Sequence, residues 1–270
     1  MSDSSSSNYR RDIDGLRGLS VLFVVLFHAT GSLRGGFIGV DVFFVISGFL
    51  ITGIFLREME AGTFRLADFW ERRIRRIMPA AAVMAFVSLL LASLILLPAD
   101  LMAFGKSLIA YALMGSNIYF RHDSGYFAAA ADEKPLLHTW SLSVEEQFYL
   151  LFPFLCFALA YGHRRLGVKV SFRSFFLIVF SVMMVTGLLL SVWMVRQDQT
   201  MAFYLLPSRF WELLVGSCLA CLPLAWRSAP HRLSQIAAMA GVLLIVVCGI
   251  QLRDSMPFPG LLALPPCLGA

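Results

Sequence analysis

At 270 residues, 59% hydrophobic and 14% charged, the chain carries more apolar surface than a soluble domain of that length can hide. The net charge of +5 is accounted for by membrane topology and does not indicate a nucleic-acid partner. The five cysteines all sit in apolar runs and read as small hydrophobes. Cys218 and Cys221 form C-x-x-C inside a predicted span with no neighbouring histidine, so no metal is expected.

The expected fold is an all-α, polytopic membrane bundle. Residues 1–13 are expected to form a disordered cytoplasmic N-terminus, and 14–270 a single transmembrane domain. Apolar runs long enough for a ~30 Å hydrocarbon core occur at 15–32, 37–56, 80–97, 142–161, 175–195, 203–222 and 236–252. An eighth begins near Phe258 and is still running at Ala270, so the chain reads as truncated in mid-helix. No cleavable leader is expected, because the first run carries Asp14 and Arg17 and lacks a small-residue cleavage pattern.

Placing the N-terminus in the cytoplasm puts fourteen Lys and Arg residues in the inner segments and six in the outer ones. The positive-inside rule favours that orientation. It also argues that 101–117 does not span, because a crossing there would turn the basic cluster at 164–173 outward. That stretch is expected to be an interfacial helix in an outer loop.

Ionisable residues at membrane depth are costly and commonly face the bundle interior. On the first run, Arg17 and His28 are eleven residues apart, within about 20° of one helical face and ~16 Å apart along the axis. Asp14 is placed to pair with Arg17 at i,i+3. The bland readings are a snorkelling anchor for Arg17 and an interfacial histidine for His28. Asp41 and Ser47 interrupt the next run, where Gly39 and Gly48 suit close helix packing. Arg72, Arg73, Arg75 and Arg76 precede the third run. They suit either an inner-face topology signal or a clamp for phosphate. His138, Trp140, Ser141, Glu145 and Glu146 gather at the outer mouth of another span, and Arg209 with Glu212 reads as an interhelical ion pair.

Four ordered motifs carry a family resemblance. They are R-x10-H from Arg17 to His28, F-x-G-V-D-x-F-F-x-x-S-G-F-L-x-T from Phe37 to Thr52, an arginine motif and H-x-W-S-L-x-x-E-x-x-F-Y from His138 to Tyr149. In the arginine motif Arg73 and Arg76 are followed by Ile77 and Pro79, and the extra Arg75 blurs which pair matters. Together they resemble the acyltransferase-3 family of membrane O-acyltransferases. The resemblance implies transfer of an acyl group, often acetyl, from cytoplasmic acyl-CoA to a hydroxyl of an extracytoplasmic acceptor, commonly a glycan, at a bacterial inner membrane. Acyl-CoA would be a substrate, with no permanently bound cofactor.

On that reading His28 is the general base, with Arg17, Asp14 and Glu145 completing the catalytic set. Arg73 and Arg76, with Arg72 and Arg75 beside them, hold CoA phosphates. His138, Trp140, Ser141, Glu146, Asp41 and Ser47 contact substrate. A covalent acyl-enzyme on Ser47 or Ser141 is the competing mechanism. A transporter or flippase of a glycan or lipid-linked substrate is the competing class, although no internal repeat supports it.

Overall fold

The computed structural model describes residues 10–123, 134–167, 169–222 and 231–270. Among them regular structure is entirely helical. The chain order is α1 (Arg11–Thr30), a 3-10 turn (Gly36–Ile38), α2 (Gly39–Glu60), α3 (Leu66–Ile95), α4 (Pro98–Ala112) and α5 (Ser116–His122). There follow α6 (Thr139–Arg165), α7 (Phe172–Gln197), α8 (Gln199–Tyr204), α9 (Leu206–Cys221), α10 (His231–Gln251), a second 3-10 turn (Gly260–Ala263) and α11 (Leu264–Gly269).

Among the described residues six helices are long and apolar enough to cross a bilayer: α1, α2, α3, α6, α7 and α10. Two of the eight expected runs fall outside that set by length. The run 203–222 is divided at Leu205, where the backbone is extended, leaving α9 with 16 residues, ~24 Å long. Its apolar residues serve burial, since α9 packs between α2 and α7. The run from Phe258 is still helical at Gly269, as expected, with Pro265 and Pro266 in the first turn of its last helix, where the missing N–H costs nothing. It folds as the 3-10 turn and the six-residue α11. Arg11–Ile13, expected to be disordered, form the first turn of α1, whose positive end is complemented by Asp12 and Asp14. The rest of that expectation, residues 1–9, lies outside the described residues. The stretch 101–117 folds as the 15-residue α4 followed by a turn and the start of α5; α4 falls short of a span.

The centre of the bundle is the α2–α9 pair. A Cβ on Gly48 would collide with the Leu213 carbonyl, and one on Gly216 with the Val45 carbonyl. The backbones can therefore touch only because both positions are glycine. Thr52 Oγ1 donates to Ser217 Oγ at 2.8 Å across the same seam. An aromatic core including Phe55, Phe148, Phe152, Phe176 and Phe180 fills one side, and Phe37, Ile38, Trp211 and Phe258 fill the other. By contrast α3 buries only 6% of its apolar window and α1 only 11%. Val83, Phe86 and Leu94 of α3 point outward, as hydrocarbon-facing side chains should.

Candidate active site

Two clusters of polar side chains meet α2. The first is sealed. Arg209 Nη1 lies 2.8 Å from Asp41 Oδ1 and 3.0 Å from Glu212 Oε1, and all three side chains are at most 1% exposed. Arg209 Nε donates to the Phe203 carbonyl at 3.0 Å. The guanidinium is enclosed by the rings of Trp140, Phe203 and Phe258, with centroids 4.9–5.5 Å away. The expected interhelical pair thus has a different partner. Arg209 and Glu212 share α9, and the bond across helices runs from Arg209 to Asp41 on α2. The Cys267 sulfur lies within 4.8 Å of carboxylate oxygens of Asp41 and Glu212, a spacing a metal could use, but Arg209 already bonds both carboxylates.

The second cluster lies two turns further along α2. The Ser47 hydroxyl and the Tyr149 hydroxyl both donate to Glu145 Oε1. Arg73 from α3 places its guanidinium 4.9 Å from the Tyr149 ring centroid. Its charge is also felt by Glu145 and Glu146. Trp70 Nε1 donates to the Tyr149 carbonyl at 3.3 Å, fastening the start of α3 to α6. The four arginines therefore divide. Arg72 pairs with Glu58 at 2.8 Å and Arg75 with Glu71 at 2.7 Å. Arg73 and Arg76 have no carboxylate within ion-pair distance among the described residues, and they repel each other.

His138, Glu145 and Tyr149 stand at i, i+7 and i+11 on or just before α6, within about 20° of one line. The line runs from Arg73 at Tyr149, near the middle of α6, to the end of the bundle at which α6 begins and where His28 lies toward His138. Protein packed around the His138 ring, and secondarily the His28 charge, lower the His138 pKa from its ordinary value. His28 itself is exposed on the last turn of α1, its ring 5.0 Å from that of Phe27. Arg17 lies 3.9 Å from Asp14, as the i,i+3 spacing predicts.

Other nominated residues stand apart from this line. Trp140 is buried against Phe44, Phe203 and Arg209, and Asp41 is fully buried in the ion triad. Ser141 Oγ donates to the His138 carbonyl at 3.2 Å. Glu146 turns away from Glu145 into a cavity of about 300 Å³ bounded by α3, α4 and α6. Two residues of the site were not nominated, Tyr149 and Tyr111. Tyr149 had a signal, standing one helical turn after Glu145 and closing the last motif. Tyr111 had none, since its place depends on how α4 folds back.

The acyltransferase-domain family model of type 3 matches residues 10–264. A Haemophilus influenzae protein named only as uncharacterized is 38% identical over 232 residues, covering 84% of this chain and 94% of its own. A Staphylococcus aureus protein provisionally named an O-acetyltransferase is 32% identical over 88% of this chain. The Listeria monocytogenes peptidoglycan O-acetyltransferase is 37% identical over 80% of this chain. The aligned part is 40% of the Staphylococcus protein and 34% of the Listeria protein. No solved structure matches. The four motifs, the helical membrane architecture and these matches agree, and the chain belongs to the acyltransferase-3 family of membrane O-acyltransferases.

Proposed function

We propose that this protein moves an acyl group, acetyl in the simplest case, from acyl-CoA on the cytoplasmic side of a bacterial inner membrane to a hydroxyl of a glycan on the other side. The observation that carries the reading is the line of His138, Glu145 and Tyr149 on α6. It leads from Arg73, at mid-depth beside α6, to the end of the bundle that carries His138 and His28. With the N-terminus inside, Arg73 and Arg76 meet donor phosphates from the cytoplasm, and His28 with His138 meets the acceptor outside.

The reaction forms an O–C bond and breaks a C–S bond. His28 takes the acceptor hydroxyl proton as the oxygen attacks, and the imidazolium returns that proton to the thiolate that leaves, so base and charge are restored. Arg17, held by Asp14, is assigned to the same helix's inner end, where it adds positive charge on the donor side. A second reading has one specific observation behind it. Ser47 already donates to Glu145, the contact a serine nucleophile needs, so an acyl-Ser47 intermediate would also use this cluster. A glycan or lipid-linked-substrate transporter would have no need of the thioester.

The test is acyl-CoA consumption coupled to acceptor acylation, followed by mass spectrometry of glycans from cells with and without the gene. His28→Ala is expected to lower turnover about 10²–10⁴-fold while leaving membrane insertion intact. Near-normal turnover would remove His28 from the mechanism. Trapping of labelled acyl on the wild-type chain, lost in Ser47→Ala, would favour the covalent route. An acceptor that crosses the membrane unacylated would favour the transporter.

A further inference from the structure

The cavity beside Glu146 has an unusual lining. One wall is the α3 ridge Ile77, Ala81 and Ala85, an i,i+4 series with Arg73 one turn before its start. Alanines leave room where larger residues would close the gap. Against these apolar walls stand two polar atoms without hydrogen-bond partners among the described residues, Glu146 Oε1 and Tyr111 Oη, and both are buried. Leaving such groups unpaired is costly, and in a cavity the missing partners belong to what the cavity holds. From Arg73 to Ala85 the ridge rises about 18 Å.

We infer that this cleft between α3, α4 and α6 holds the amide-bearing arm of the acyl-CoA donor, with Glu146 accepting an amide N–H and Tyr111 donating to an amide carbonyl. The inference rests on acyl-CoA being the donor and adds the place where its arm lies. Such an arm alternates apolar carbon with amide groups, and the cleft presents the same alternation in complement: apolar walls, one acceptor and one hydroxyl. A phosphate held by Arg73 puts the head of the arm at the start of the ridge. Glu146 shares its turn of α6 with Glu145, so the cleft and the Ser47–Glu145–Tyr149 cluster lie at the same level on different faces of that helix. A hydrocarbon chain from the bilayer would use the walls but leave both polar atoms unpaired.

The experiment measures binding of two probes to the full chain in lipid nanodiscs: CoA, and adenosine 3′-phosphate 5′-diphosphate, the same nucleotide without the arm. Wild type is expected to bind CoA more tightly than the armless nucleotide. Ala81→Leu with Ala85→Leu is expected to weaken CoA at least about tenfold and to leave the armless nucleotide within twofold. Tyr111→Phe, which removes one oxygen atom and is expected to fold, should weaken CoA by about threefold to tenfold with no effect on the nucleotide. Glu146→Ala should resemble it, and Glu146→Gln, which keeps a carbonyl acceptor, should recover part of the loss.

Equal affinity of wild type for the two probes would overturn the arm site, as would variants that weaken both probes alike. Normal CoA binding in the leucine variant with loss of co-purified lipid would assign the cleft to lipid instead. Failure of wild type to bind either probe would instead remove acyl-CoA as the donor, and the proposed function with it.

Discussion

Asp41 and Ser47 are six residues apart on one helix, yet they anchor polar clusters of opposite character. The Asp41 cluster is closed off by aromatic rings and is at most 1% exposed. The Ser47 cluster is assembled from α2, α3 and α6, and Glu145 and Arg73 within it keep partial access. A buried ion triad with no route to substrate fixes two helices together. A half-open one, beside a cavity and two unpaired cations, is able to meet a ligand. Charge at membrane depth marks importance in both cases, but access decides whether that importance is structural or chemical.

The sharpest way to break this contrast is to remove one member of each cluster. Arg209→Ala leaves Asp41 and Glu212 without their shared cation, and its expected cost is about 3–5 kcal/mol. Thermal unfolding of the detergent-solubilised protein would register it as loss of the folded form. A variant as stable as wild type would show that the sealed cluster is not a lock. Glu145→Gln is expected to fold normally and to lose about 10- to 100-fold in turnover, from a charged hydrogen-bond acceptor worth about 1.5–3 kcal/mol. Should it unfold like Arg209→Ala, the two clusters are alike and the distinction fails.

Smaller effects separate the arginines. Arg73→Ala is expected to raise the dissociation constant for acyl-CoA by about tenfold, with Arg73→Lys recovering only part because ammonium lacks the planar fork. Arg72→Ala breaks a half-exposed pair with Glu58 and is expected to cost under about 1 kcal/mol of stability, with donor affinity unchanged. Equal loss of donor affinity at positions 72 and 73 would return the whole cluster to a topology signal.

Much of the architecture was legible in the sequence because hydrocarbon imposes a length on apolar runs. Length alone does not describe 203–222, where the apolar residues of α9 face other helices instead of lipid. Hydropathy alone cannot distinguish the two environments. Within helices, spacing served well: the Asp14–Arg17 pair and the placement of Arg73 beside Arg76 both follow from it. Across helices it was silent. Arg209 finds Asp41 across 168 positions and Ser47 finds Glu145 across 98. Such pairings depend on helix order and rotation, which one sequence does not display. Hence Asp41 looked like a substrate contact, and Tyr111 was not seen at all.

The glycine seam between α2 and α9 has a mechanical consequence. Backbones that interlock at Gly48 and Gly216 cannot slide past each other, because even one residue of travel, ~1.5 Å, brings side-chain carbon against carbonyl oxygen. The two helices therefore behave as a stator. Ser47 is mounted on that fixed part, whereas Arg73 rides on α3, which is held by few neighbours. Of the two parts, the cation-bearing helix is the one left free to shift while the seam stays still.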